Sequence, residues 1–349
     1  MTGRALGLAY RAAWEVTSRL PERAAVASFN RISDALVARR GPAVVQLARN
    51  QRRVLGDQAT PAALHAVVLA AMRSYGRYWL ETFRMQRADT GEIAQRALDG
   101  TTGLEHVIAA RDAGRGIILA LPHSGNWDVA GMSMVKLLGG ITTVAERLEP
   151  ASVYRRFVAY RESLGFEVLP LTDEAGSTGT SGRLLRQRLT DGRMVCLLAD
   201  RDLGTGGIPV TFFGEPTTMP AGPAMLAAMT GAALCPVHLA YTDSGWVHYV
   251  APPVRLAGER LAQKVRSGTQ AMADVFASRI ALFPADWHML QPLWASDREA
   301  VTSGTDRGAV TGTDGEAVTS GTDRGAVAPA VVEEATRDAA AITDPDPVT

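Results

Sequence analysis

The run Leu121-Pro122-His123-Ser124-Gly125-Asn126-Trp127-Asp128 holds the residue types that proton transfer needs. Neutral imidazole near pH 7 is an effective general base. A carboxylate behind it fixes the tautomer and stabilises the imidazolium that forms. His123 and Asp128 are the first candidates for such a pair. On a continuous helix their spacing would turn them roughly 140° apart. Pro122 and Gly125 supply a break. With His123 just before a helix and Asp128 in its first turn, the two can meet. Asn126 then caps the helix, whose dipole favours ionised Asp128. The pair would deprotonate an acceptor hydroxyl. A histidine that only closes a strand end is the other reading of the same residues.

Such a pair must be presented by a strand end. Residues 117–121 are an unbroken apolar run, and 127–138 suit a helix. Around them helix and strand alternate. Helices are expected near 103–113, 150–164, 182–190, 219–230 and 258–283. Strands are expected near 141–145, 166–169, 194–199, 210–214, 234–241 and 246–254. Residues 172–182 and the Gly-rich 204–207 read as loops. This pattern predicts an α/β fold: a central, mainly parallel or mixed β-sheet with helices on both faces. Active sites in such folds gather at the carboxyl ends of strands.

Residues 1–84 read as helical. Leu6, Tyr10, Trp14 and Thr17 recur at helical spacing among Arg4, Arg11, Arg19 and Arg23. That face suits a membrane surface, a partner groove, or packing on its own domain. A second helix is expected over 43–55. A third runs from Thr60-Pro61 to Arg84, with Thr60 as cap and Pro61 in the first turn. Its Tyr75, Tyr78, Trp79 and Phe83 are expected in the core.

The formal net charge is zero, but it is unevenly spread. The first 84 residues hold thirteen Arg against five acids, while residues 297–349 hold four Arg against eleven acids. The basic end points to an anionic membrane surface as partner. No nucleic acid is expected as a partner. The two cysteines, Cys196 and Cys235, exclude a disulfide scaffold and read as core thiols. The six histidines show no metal-ligand spacing, so no metal is expected. No apolar run is long enough for a transmembrane helix, and no h-region of a signal peptide is visible. A soluble or membrane-peripheral protein is therefore expected. After Trp294 aromatic residues cease, and EAVTSGTDRGAV occurs at 299–310 and again at 316–327. Such a repeat offers only Ala and Val to bury, so 297–349 is expected to be a disordered acidic tail. Ser124 lacks a GxSxG elbow, Gly204–Gly207 lacks a dinucleotide fingerprint, and His288 reads as structural.

His123 to Asp128 matches the HX4D motif, and the chain resembles the glycerolipid-type acyltransferases that carry it. Within them it is similar to the lipid A lauroyl/myristoyl branch, and there to the phosphatidylinositol mannoside acyltransferases. The segments that carry the resemblance span 1–296: SYGRYW (74–79), ALPHSGNWD (120–128), TTVAERLEP (142–150), YRESLGFEVLPL (160–171), VCLLADRDL (195–203), FFGEPT (212–217), MPAGPA (219–224) and PADWHMLQP (284–292). The resemblance implies one acyltransferase domain over 1–296. Residues 1–84 would be its basic, membrane-facing part and 103–296 its catalytic core. It implies transfer of palmitoyl from palmitoyl-CoA to a mannose 6-hydroxyl of mono- or dimannosylated phosphatidylinositol. The reaction would occur at the cytoplasmic face of the inner membrane. Acyl-CoA would be a co-substrate, with no cofactor and no acyl-enzyme. His123, Asp128 and Asp200 would form the catalytic set, and Glu146, Arg161 and Arg201 would bind substrate. Relatives of this kind carry Glu where this chain has Asp200; the shorter side chain would reach about 1 Å less far. A local Arg201–Asp202 ion pair, another lipid acceptor, a catalytically silent lipid-binding protein and a thioesterase are the alternatives.

Overall fold

The computed structural model describes residues 14–146, 151–172, 178–202 and 206–297. The strands of its main sheet are β1 (Thr101–Thr102), β2 (Ile117–Leu121), β3 (Ile141–Ala145), β4 (Phe166–Pro170), β5 (Met194–Leu198), β8 (Ala233–Tyr241) and β9 (Trp246–Val250). They lie in the order β1-β9-β8-β2-β5-β3-β4. Every neighbouring pair is parallel except the hairpin β8-β9. The expected α/β sheet is thus present, mixed and mostly parallel.

β2 sits at the centre because both its faces are apolar, and all five residues are buried. Side chains alternate across a strand. Ile117, Leu119 and Leu121 therefore face one layer, with Trp14, Phe29, Tyr78, Phe83 and Val129. Ile118 and Ala120 face the other, with Leu185, Val265, Phe276 and Trp287. The first layer contains the helices Glu22–Arg39, Pro61–Arg84 and Trp127–Leu138; the second contains Gly179–Thr190, Gly222–Thr230 and Leu261–Leu282. The N-terminal helices are not a separate unit, because their aromatic faces complete the first layer.

Trp14 is fully buried against Phe83, Phe157 and Tyr160. That residue of the amphipathic N-terminal stretch belongs to the protein's own core. Leu6 and Tyr10 lie outside the described residues, as does the repeat-bearing stretch from 298 onward. Asp297, at the start of the expected tail, is buried and accepts hydrogen bonds from Gln46 and Arg53.

Several elements differ from expectation. The stretch around Phe212–Met219 is an antiparallel hairpin, β6 (Ile208–Phe212) with β7 (Glu215–Met219). Its turn residues Phe213 and Gly214 both have positive φ, which suits the twist of a two-residue hairpin. Phe-Gly is an unusual turn sequence, and Pro216 inside β7 masks the strand. The following helix consequently starts at Gly222, not near 219. The helix Thr90–Asp99 and the two-residue β1 extend the order at the sheet's far edge. No helix among the described residues is long and apolar enough to cross a membrane.

Candidate active site

β2 and β5 run parallel with Leu121 paired to Leu198. Two residues past each strand end, His123 and Asp200 emerge side by side at the sheet's carboxyl edge. His123 Nδ1 lies 2.6 Å from Asp200 Oδ1, and the His123 backbone N–H donates to Asp200 Oδ2 at 2.9 Å. The Trp287 indole N–H donates to the same Oδ2 at 2.9 Å. The Asp200 side chain is fully enclosed, while that of His123 is 24% exposed. Burial pushes the Asp200 carboxyl up, but the His123 charge and the hydrogen bonds from His123 and Trp287 outweigh it and hold it below the ordinary value. An ionised carboxylate only accepts. Nδ1 is therefore the donor of the hydrogen bond to Asp200. The shorter Asp side chain reaches the imidazole without loss.

Asp128 is placed as expected, in the first turn of the helix Trp127–Leu138. Asn126 caps that helix, its side-chain oxygen accepting from the N–H groups of Asp128 and Val129. The expected meeting with His123 does not occur. No hydrogen bond joins the two; Asp128 Oδ1 accepts from Arg161 Nε at 2.9 Å, and Oδ2 is 3.4 Å from the Tyr78 hydroxyl. A fully buried carboxylate is best neutralised by a guanidinium, which a neutral imidazole cannot replace. Burial disfavours the Arg161 charge, yet the Asp128 carboxylate raises its pKa above the ordinary value. Asp128, Arg161, Trp127, Leu121 and Leu198 line a cavity of about 40 Å³.

Glu146 follows β3 directly, and Arg201 lies three residues past β5. Arg201 Nη2 stands 3.8 Å from Glu146 Oε2. The ends of β2, β5 and β3 thus deliver His123, Asp200, Arg201 and Glu146 to one edge. Arg161 reaches the same region from the helix Ala151–Ser163.

Two segments hold this edge from behind. In the helix Pro61–Arg84, Ser74, Arg77, Tyr78 and Glu81 recur at helical spacing. Glu81 Oε2 accepts from Asn126 Nδ2 at 2.7 Å and from the Trp246 indole at 3.0 Å. Ser74 Oγ donates to Asp286 Oδ1 at 2.6 Å and lies 2.8 Å from His288 Nε2. The second segment follows the last helix. Its Asp286 carbonyl accepts from Gly125 N–H, and its His288 N–H donates to the His123 carbonyl at 2.7 Å. Gly125 has φ +52°, and a Cβ there would meet the Leu239 backbone at 2.9 Å. Only glycine lets the loop lie this close to β8. His288 is buried, and burial pushes its imidazole down to about 3, so it stays neutral.

Sequence reasoning missed Ser74, Glu81, Asp286 and Trp287. The signal available for the first two was their shared helical face with Arg77 and Tyr78, obscured by the aromatics between them.

Comparison with known proteins supports a common origin. A profile of the bacterial lipid A biosynthesis acyltransferase family, described by that name, matches residues 1–296. A phosphatidylinositol mannoside acyltransferase of Mycolicibacterium smegmatis is 48% identical over 295 residues, covering 84% of this chain and 93% of that protein. A protein of the same name from Mycobacterium tuberculosis is 47% identical over 298 residues, covering 85% and 91%.

Proposed function

The chain belongs to the bacterial lipid A biosynthesis acyltransferase family, and from that premise we propose that it transfers a long acyl chain, palmitoyl, from acyl-CoA to a mannose 6-hydroxyl of mono- or dimannosylated phosphatidylinositol. The acceptor class rests on the names of its relatives. The chemistry rests on one observation: His123 commits Nδ1 to a fully enclosed carboxylate while its own side chain stays 24% exposed.

In this reading Nε2 takes the proton of the acceptor hydroxyl as its oxygen attacks the thioester carbonyl. The tetrahedral intermediate then collapses, the C–S bond breaks, and the imidazolium returns its proton to the leaving thiolate. Asp200 stabilises the imidazolium between the two steps. A thioester is already activated, so no acyl-enzyme is needed. Glu146 and Arg201 stand where sugar hydroxyls and phosphate can be bound. Arg161 neutralises Asp128 and keeps that wall of the cavity ordered. We further propose a peripheral location at the cytoplasmic face of the inner membrane. Thirteen Arg against five acids in residues 1–84 would favour an anionic leaflet.

The test is CoA release from palmitoyl-CoA by the full chain, with and without mannosylated phosphatidylinositol, with mass spectrometry of the lipid. Acceptor-dependent release and a product one palmitoyl group heavier are expected. Release without an acylated lipid would overturn transfer in favour of hydrolysis. Product on another lipid but none on this acceptor would overturn the acceptor.

A further inference from the structure

We infer that Trp287 is a positioning residue for acyl transfer, acting through Asp200. The inference rests on His123 being the base, and goes beyond it in assigning what aims the carboxylate.

A carboxylate can turn about its Cβ–Cγ bond. For Oδ1 to face an imidazole, something must hold Oδ2. Two donors do so: the His123 backbone N–H and the Trp287 indole N–H, each at 2.9 Å. They differ in kind. The backbone donor belongs to the residue being oriented, so it moves with it. The indole comes from another part of the chain and supplies an external reference. Indole N–H donates and never accepts. It cannot reverse its role, as a hydroxyl or a water could, and it always favours the ionised carboxylate.

The indole is itself fixed. Trp287 is fully buried, with its ring against Phe212 and Phe213 of the hairpin. Its backbone bridges Ser124, and bonds from the residues either side, Asp286 and His288, tie it to Gly125 and His123. The tryptophan is therefore stapled to the loop that carries the base. Asp200 is fully enclosed and has no water-facing side on which to find a replacement donor.

The test is Trp287→Phe in the full chain, which keeps the ring and removes the N–H. We expect kcat to fall about tenfold with KM for both substrates unchanged, because the hydrogen bond aligns the base and does not touch substrate. The acid limb of the kcat–pH profile should move up by about half to one pH unit, as Asp200 loses a donor that holds it ionised. In an Asp200→Asn background the same substitution should cost nothing further. An equal loss in both backgrounds, or a loss carried by KM, would overturn the inference and make Trp287 a packing residue. An unchanged kcat would overturn it too. Should Asp200→Asn leave too little turnover to compare, the direction of the acid limb decides. The reading of His123 and Asp200 fails separately, by full activity in Asp200→Asn itself.

Discussion

The Asp200 carboxylate lies 2.6 Å from the imidazole of His123, although 77 residues separate them in the chain. Asp128, five positions from the histidine, is bound elsewhere. The two carboxylates should therefore fail differently when neutralised. Asp200→Asn keeps the shape but stops fixing the Nδ1–H tautomer. A drop in kcat of about 10²–10⁴ is expected, with little change in KM. Steady-state kinetics on the folded variant would check it, and a KM effect alone would argue against the assignment.

Asp128→Asn should act first on stability. It leaves the Arg161 guanidinium, 17% exposed, without its counter-charge. Breaking such a pair costs about 3 kcal/mol. Thermal melting should show a loss of several degrees, and Asp128→Asn/Arg161→Gln should recover part of it. A double variant less stable than the single one would contradict this.

Three buried histidines set a pH dependence. Burial pushes His238 and His288 down to about 3 and His248 to about 4, against 6.5 for a free imidazole. Below pH 6.5 the unfolded chain binds protons that the folded chain refuses. Stability is therefore full above that pH and is lost as the pH falls towards 4, by about 1.4 kcal/mol per unit for each group. His238 Nε2 has no protein partner, and its ring stacks on Phe283. Urea midpoints of His238→Phe should consequently fall less steeply between pH 7 and pH 5. Parallel slopes in variant and parent would refute the assignment.

Asn126 joins two functions, capping the helix of Asp128 and bonding Glu81. Asn126→Ala should lower stability by about 1 kcal/mol through the lost cap. It also frees Glu81 from the loop of the base, so kcat should fall as well. Asn126→Asp should restore the cap but face Glu81 with a like charge. Calorimetry and turnover on the two variants would separate these effects; an Asn126→Asp variant indistinguishable from the parent would show that the cap alone matters, and identical losses in both variants would show that the bond to Glu81 alone matters.

The basic N-terminal part predicts salt-sensitive membrane binding. Near an anionic surface each basic group contributes roughly 1 kcal/mol. Sedimentation with anionic vesicles at low salt should carry the protein down, and neutral vesicles should not. Equal binding to both would remove the electrostatic explanation.

The strand, break and cap around His123 were legible because each signal is local: an apolar run, then Pro, Gly and Asn in order. The helix expected over 43–55 lies at Pro42–Leu55, and the start of Pro61–Arg84 was readable for the same reason, from Thr60 and Pro61. Which carboxylate faces the imidazole was not readable from spacing. It depends on β5 lying beside β2, a fact of topology, and Asp200 entered only through resemblance. Ser74 and Glu81 were hidden because their helix reads as an aromatic core element. It is one, and its polar face is revealed only when the opposing loop is in place. β7 was lost to a turn whose positive φ at Phe213 few sequences would announce.

The segment that staples the loop of the base comes from the far end of the described chain. His123 is made early in synthesis, but Asp286, Trp287 and His288 are made long after it. A growing chain therefore carries His123 through roughly 160 further residues of synthesis without the segment that clamps its loop. Only when the last helix has been followed by these few residues can the loop be clamped. The order of assembly itself leaves an unfinished polypeptide with His123 on an unclamped loop.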